Sequence, residues 1–368
     1  MATNQITFFA VDNGDAVLLE AHGWTVMTDI KYRAAAADEN NEEVNDFAPI
    51  IRDACGEDRL DLFVLTHPDE DHLLGFGAIF HLGPPDERDE DPDDGDTLLI
   101  VNEIWCSEYA ANPNYTTSTS KPLLDEIARR KRLQGTAAGD ADGNRLRILA
   151  ASNGAQESLA NGLSWRLLAP TSEEADIPKA AAGDTPNSSN ASSLVIQWSI
   201  TVAGRTSRVL LGGDSTVEVW ERIEADYSDD QKNWNILLAP HHCSRRSMGR
   251  GSTTNGSETF EWSDNAIDGL DHPTGSYPYV VSSSSKFNQA TPPNPKARER
   301  YYKILARGGT VTDEVRSRFL VTAGKQGEDA EDIVFKFTAS GPTRAIAGTA
   351  AAASSLTSPA SSGGGGYG

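Results

Sequence analysis

Residues 65–72 read Leu65-Thr66-His67-Pro68-Asp69-Glu70-Asp71-His72. His67, Asp69, Asp71 and His72 fall within six consecutive positions, directly after the apolar run Leu62-Phe63-Val64-Leu65. Such a run predicts a buried strand, which puts the cluster on the loop leaving its C-terminal end. Imidazole nitrogens and carboxylate oxygens are the usual ligands of zinc, manganese and iron, and a loop can gather several around one point. Pro68 and the three acids would also suit a solvated acidic turn. That reading leaves the flanking histidines unexplained in a chain that has only seven in 368 residues.

Two later segments extend the pattern. Arg208-Val209-Leu210-Leu211-Gly212-Gly213-Asp214 is an apolar strand ending in glycines and an aspartate. Asn235-Ile236-Leu237-Leu238-Ala239-Pro240-His241-His242-Cys243-Ser244 is another, ending in a histidine pair. Taken singly, Asp214 could cap a helix over 216–224, and His241 and His242 could be core histidines. Taken with the first cluster, three strands each deliver ligand-type residues just past their C-terminal ends. In a layered α/β protein such ends meet on one edge of the sheets.

These residues resemble the metallo-beta-lactamase fold, and within it the soluble relatives of the ComEC/Rec2 competence hydrolase domain. Val11-Asp12-Asn13-Gly14-Asp15-Ala16 is similar to its V-G-Q-G-D-A opening, and 67–72 to its H-x-D-x-D-H motif. Leu211 to Asp214 resembles its T-G-D strand end, Pro240 to Ser244 its P-H-H-G-S, and Asn190 to Val195 its N-x-x-S-L-V. The resemblance implies a four-layer αββα sandwich. It also implies a metal-dependent hydrolase with His67, Asp69, Asp71, His72, Asp214 and His241 as ligands. His242 is then a neighbouring or substrate-facing group, and Asp71 also orients the attacking water. The residues alone leave the choice between His241 and His242 open. Asp12 and Asp15 are expected to brace the site.

The chain departs from that pattern in places. No histidine lies between His81 and His241, where the wider fold takes another ligand. Cys243 replaces a glycine, either as a small turn residue or as a thiolate ligand. Pro292-Pro293-Asn294-Pro295 stands where the family has a histidine-bearing segment. The first metal position is thus left with His67, Asp69 and a shared Asp214, against Asp71, His72, Asp214 and His241 at the second. One or two divalent ions, zinc or manganese, are expected. Such ions lower the pKa of bound water from about 16 towards 7 and polarise the bond attacked.

Arg245, Arg246 and Arg250 follow the histidine pair, with Lys286, Lys296, Arg298 and Arg300 further on. Arg245 and Arg246 are candidate substrate-binding residues for a phosphate-bearing substrate, a nucleic acid or a nucleotide. Their bland alternative is pairing with surface carboxylates. Hydrolysis of a small ester, thioester or lactam is a second enzyme reading, and a non-catalytic metal-binding regulatory module a third. The net charge of −22 weakens any non-specific grip on polyanions. Three cysteines, an odd number, predict no disulfide framework and a reducing, cytoplasmic setting. No apolar stretch is long enough to span a bilayer, so no membrane partner is expected.

The expected organisation is a hydrolase domain over 1–339, with an acidic insertion near 84–97 and a low-complexity tail over 340–368. Helices are predicted over 73–80, 122–133, 216–224 and 296–305. Strands are predicted over 6–11, 17–20, 25–28, 146–149, 165–168, 194–200 and 333–337.

Overall fold

His22 and Gly23 both adopt positive φ (53° and 83°), a conformation that lets Val17–Ala21 fold straight back onto Trp24–Thr28. From this hairpin an eight-stranded sheet grows in both directions in a computed structural model of the chain. The structure describes residues 3–38, 44–56, 58–90, 97–112, 121–152, 155–175, 189–254, 257–287, 292–324 and 329–345. Residues 91–96 of the acidic insertion, 176–188 of the polar loop before Asn190, and the tail from 346 lie outside them.

On one side of the hairpin the first sheet adds Gln5–Phe8, Ile333–Thr338 and Gly341–Ala345, all antiparallel. On the other it adds Arg59–Val64, Ile100–Ser107 and Arg145–Leu149, all parallel. A seven-stranded second sheet repeats the scheme. Gln156–Ala160, Leu163–Ala169, Val195–Val202 and Arg205–Leu211 are antiparallel; Ile236–Leu238, Tyr279–Ser282 and Phe319–Val321 then follow in parallel.

Three apolar layers hold the sheets and helices together. Ile6, Phe8, Leu62, Val64, Trp105, Trp198, Val209 and Ile236 fill the space between the two sheets. Ile51, Phe63, Phe76, Leu123 and Ile127 pack helices Ala48–Ala54, Phe76–Ile79 and Lys121–Leu133 on the first sheet. Leu210, Trp220, Leu237, Leu270 and Tyr301 pack Val217–Asp226, Asp264–Leu270 and Pro295–Ala306 on the second. Each fully buried large apolar side chain contributes about 1.5–3 kcal/mol. The result is the α/β four-layer αββα sandwich that the resemblance implied.

Several elements depart from expectation. The helix predicted over 73–80 is instead a two-residue strand, Leu73–Leu74, and one helical turn, Phe76–Ile79. Gly75 breaks it: φ is 77°, and a Cβ there would come within 2.0 Å of the Tyr32 carbonyl oxygen. The strand Ile100–Ser107 was missed because nearly every residue is buried, which erases the alternation that marks a half-exposed strand. Gly341–Ala345, placed by composition in the tail, forms an edge strand. No described helix is long and apolar enough to cross a membrane.

Candidate metal centre

The parallel strands of both sheets end on one edge, and five of those ends supply the site. They are the ends of Trp24–Thr28, Arg59–Val64, Arg205–Leu211, Ile236–Leu238 and Tyr279–Ser282, which lead to Asp29, 66–72, Asp214, 241–242 and Ser283. Asp214 lies at the centre. It is not a helix cap, since Thr216 takes the N-cap position of Val217–Asp226. Gly213, at φ 48°, brings it in; a Cβ there would approach Thr66 to 2.9 Å.

The two oxygens of Asp214 face different partners. Oδ2 lies 3.9 Å from His67 Nε2 and 3.5 Å from His241 Nε2. Oδ1 lies 3.2 Å from His72 Nε2 and 3.5 Å from His242 Nε2. Asp69 joins the first group, with Oδ2 3.6 Å from His67 Nε2. Asp71 joins the second, with Oδ2 3.2 Å from His242 Nε2. Each side of Asp214 therefore collects two histidines and one further aspartate.

Nε2 of His67, His72 and His242, and Oδ1 of Asp214, are buried without a hydrogen-bond partner. Leaving one such group unsatisfied costs about 1–3 kcal/mol, and four converging ones form a cluster that could hold a cation. The opposite ring edges explain the orientation. Asp29, fully buried, accepts from His72 Nδ1 at 2.7 Å and from the Thr66 hydroxyl at 2.5 Å. Because Thr66 spends its only proton on Asp29, its oxygen is left to accept from His67 Nδ1, 3.1 Å away. One carboxylate thus places the proton on Nδ1 of two histidines and leaves both Nε2 lone pairs for a ligand role. His242 Nδ1 lies 3.0 Å from the Ser283 carbonyl oxygen and 3.2 Å from the Gly14 N–H, an acceptor and a donor, so these two contacts hold the third ring in place without fixing its tautomer.

Asp15, His72, Asp214 and His242 offer ligand atoms within 4.8 Å of one another. Asp15 nevertheless faces the rear of both rings, 3.9 Å from His72 Nδ1 and 3.6 Å from His242 Nδ1. That is the position of a brace. Asp12 lies outside the cluster, paired with Arg33.

Burial alone would depress the histidines and raise the acids. For His72 it is outweighed by Asp214 and Asp29, which hold the imidazole well above its usual range. For His242 it is outweighed by Asp214, Asp15 and Asp71, which push the ring up to about 10. Burial prevails at His241, which is lowered. Asp214 is held well below the carboxylate range by the surrounding histidines, and Asp71 by His242 and His72, against the burial of each.

His241, His242 and Cys243 all have left-handed backbones, with φ of 52°, 52° and 63°. For non-glycine residues this costs roughly 1–2 kcal/mol each. The turn lets two consecutive histidines reach opposite sides of one carboxylate. His242, expected as a neighbouring or substrate-facing group, is 2% exposed, whereas His241 is 20% exposed. Cys243 is fully buried in the apolar layer beneath the helices, and burial pushes its thiol up. Arg245 stacks over Phe260 at 4.5 Å, and Arg246 is exposed. Arg250 is tied to Glu218 and Glu221, the surface pairing weighed as its alternative.

Asp29, Ser189 and Ser283 escaped the reading of the sequence. Ser189 donates to Asp69 Oδ1 at 2.5 Å. Asp29 carried a usable signal, since it follows the apolar strand Trp24–Thr28 as Asp214 follows Arg205–Leu211.

No protein-family model and no curated protein sequence matches the chain. Solved structures do. A CmlA beta-hydroxylase mutant matches at 12% identity and TM-score 0.43, covering 90% of this chain and 54% of that one, so this chain spans about half its length. Igni18, a metallo hydrolase from the hyperthermophilic archaeon Ignicoccus hospitalis, matches at 13% identity and TM-score 0.39, covering 91% of this chain and 100% of its own. A B3 metallo-beta-lactamase with an active-site glutamic acid matches at 12% identity and TM-score 0.33, covering 74% and 86%.

Proposed function

We propose that this protein is a metal-dependent hydrolase with two divalent ions on either side of Asp214, acting on a phosphodiester bond. The observation that carries the metal reading is the convergence of three partnerless, buried Nε2 atoms on the two oxygens of Asp214. His67, Asp69 and His241 would hold one ion, and Asp71, His72 and His242 the other, with Asp214 between. This assignment fills the ligand deficit left by the absent histidine, because the pair supplies one imidazole to each side. Zinc suits the imidazoles and manganese the three aspartates.

Bound divalent ions supply a hydroxide at neutral pH and neutralise charge at the group attacked. Asp71, held below the carboxylate range and 35% exposed, would accept a hydrogen bond from the attacking water and orient it. His241, the more open imidazole, lines the substrate side. Arg245 and Arg246, on the turn just after the pair, carry positive charge towards a phosphate-bearing substrate. The similarity of 67–72 and 240–244 to the competence-type motifs supports the phosphodiester choice.

The test is cleavage of bis(p-nitrophenyl) phosphate with manganese or zinc supplied, wild type beside Asp71→Ala. Metal-dependent turnover that falls at least 100-fold in the variant is expected. A folded, metal-loaded wild type that turns over aryl esters or a lactam but no diester would overturn the substrate choice. Metal binding with no turnover on any of these would favour a regulatory module.

A further inference from the structure

Asn13 fastens the opening loop of the first sheet to the second sheet. Its side chain spends both polar ends on the segment that follows Tyr279–Ser282. Oδ1 accepts from the Ser285 N–H at 2.9 Å, and Nδ2 donates to the Pro292 carbonyl at 2.9 Å. A backbone donor faces one end of the amide and a backbone acceptor the other, so only one orientation satisfies both. The Asn13 carbonyl accepts in turn from the Lys31 ammonium, on the short strand Ile30–Lys31. Side chain and main chain are thus anchored on different sheets' loops.

The next two residues carry that anchorage to the metal centre. Gly14 N–H faces His242 Nδ1 at 3.2 Å, and the Gly14 carbonyl accepts from the Ser283 hydroxyl. Ser283 presents its own carbonyl to the same ring nitrogen. Asp15 N–H donates to the Asp71 carbonyl at 3.2 Å, and the Asp15 carboxylate lies 3.6 Å from His242 Nδ1. No side chain could stand at position 14: φ is 145°, and a Cβ there would run into the Lys31 stem and come within 2.7 Å of the Asp71 carbonyl oxygen. Beyond Pro292, the Asn294 N–H donates to the Cys243 carbonyl at 3.0 Å, one residue after His242. The rear edge of this buried ring therefore rests on two loops, 13–15 and 283–285, and Asn13 joins one to the other.

We infer that Asn13 is a positioning residue for the ion on the Oδ1 side of Asp214. By locking the Asn13-Gly14 peptide against the second sheet it fixes the rear of His242, and with it the direction of Nε2. This rests on the metal reading above and deepens it. The described hydrogen bonds of Asn13 lead to His242 and not to His67, Asp69 or His241, so the ion on the Oδ2 side does not depend on it. An asparagine that merely closed a loop would change stability and leave the relative affinities of the two ions as they were.

The test reads metal affinity and ring environment separately. Zinc is titrated calorimetrically into the metal-free full chain for wild type, Asn13→Ala and Asn13→Gln. In parallel, 15N spectra of the histidine-labelled, metal-free proteins follow the His242 ring, assigned by its loss in His242→Ala. One zinc equivalent should weaken by about three- to tenfold in Asn13→Ala, less than the loss of a group touching a ligand directly, with the other changed by no more than about twofold. Asn13→Gln, which keeps a donor and an acceptor, should recover part of the loss. The His242 ring nitrogens should shift in Asn13→Ala while those of His67 stay in place. Unchanged affinities and ring signals in folded Asn13→Ala, or equal losses at both equivalents, overturn the inference. A wild type that binds no zinc, with His242 signals that still move in Asn13→Ala, would uphold the hold on the ring and sink the metal reading.

Discussion

The two sides of the Asp214 carboxylate have similar ligand-type groups, share the support of Asp29, and differ in how exposed their remaining groups are. On the Oδ1 side, His72 and His242 are 0% and 2% exposed, and Asp29, Asp15 and the Ser283 carbonyl stand behind their rings. On the Oδ2 side, His67 is likewise buried and held by Thr66, whereas His241 is 20% and Asp69 42% exposed, and the Ser189 hydroxyl holds Asp69. Groups oriented from behind keep their geometry when a cation arrives, whereas exposed ones must be ordered by it. The comparison teaches that, under the proposed function, the Oδ1 side is the more preorganised for an ion and the Oδ2 side the more open.

The strongest way to break this comparison is to remove what both sides share. Asp214→Ala should abolish high-affinity binding of both zinc equivalents and lower diester turnover by about 1,000-fold or more, since each ion loses a ligand and a neutralising charge. Isothermal titration would read the stoichiometry. Retention of two tight sites would show that Asp214 does not bridge.

A smaller and more discriminating effect should follow from Asp29→Asn, which keeps the shape and removes the charge behind His72. The zinc equivalent at His72, which Asp29 touches directly, should weaken by about 10–100-fold, and the one at His67, reached only through Thr66, by less. Ser189→Ala should weaken only the second, weaker equivalent, and by less. Equal losses at both equivalents in both variants would dissolve the asymmetry.

The least perturbing test uses pH on the metal-free protein. His242 is raised to about 10 in the folded state, so its stabilisation is complete below about 6.5 and lost as pH rises through about 10. His241 is lowered, so its protonation favours the unfolded chain and stability falls as pH drops below about 6.5. Melting curves should therefore show His242→Ala flattening the alkaline limb and His241→Ala flattening the acid limb, each by roughly 1–3 °C. The reverse assignment would mean that the two histidines have exchanged sides.

Much of this was legible from residues alone. Glycines and acids after apolar runs mark strand ends, and three such ends carrying His and Asp predict a shared metal edge. The αββα layering was implied by the family resemblance that the ordered motifs carry. Helix 73–80 was misread because its apolar spacing is helical, while the close approach of Gly75 to Tyr32 is a long-range fact. Asp29 was passed over because its strand-end signal stands alone, with no histidine beside it in the sequence to give it weight.

What the sequence determined by itself was the chemistry at hand: which strands carry imidazole and carboxylate, and that they end together. Only the tertiary structure decided how those groups are shared. Three successive left-handed residues turn His241 and His242 to opposite oxygens of Asp214, and Asp29 reaches His67 through the Thr66 hydroxyl. Both depend on backbone conformation and on contacts between distant strands, which residue type and spacing do not encode.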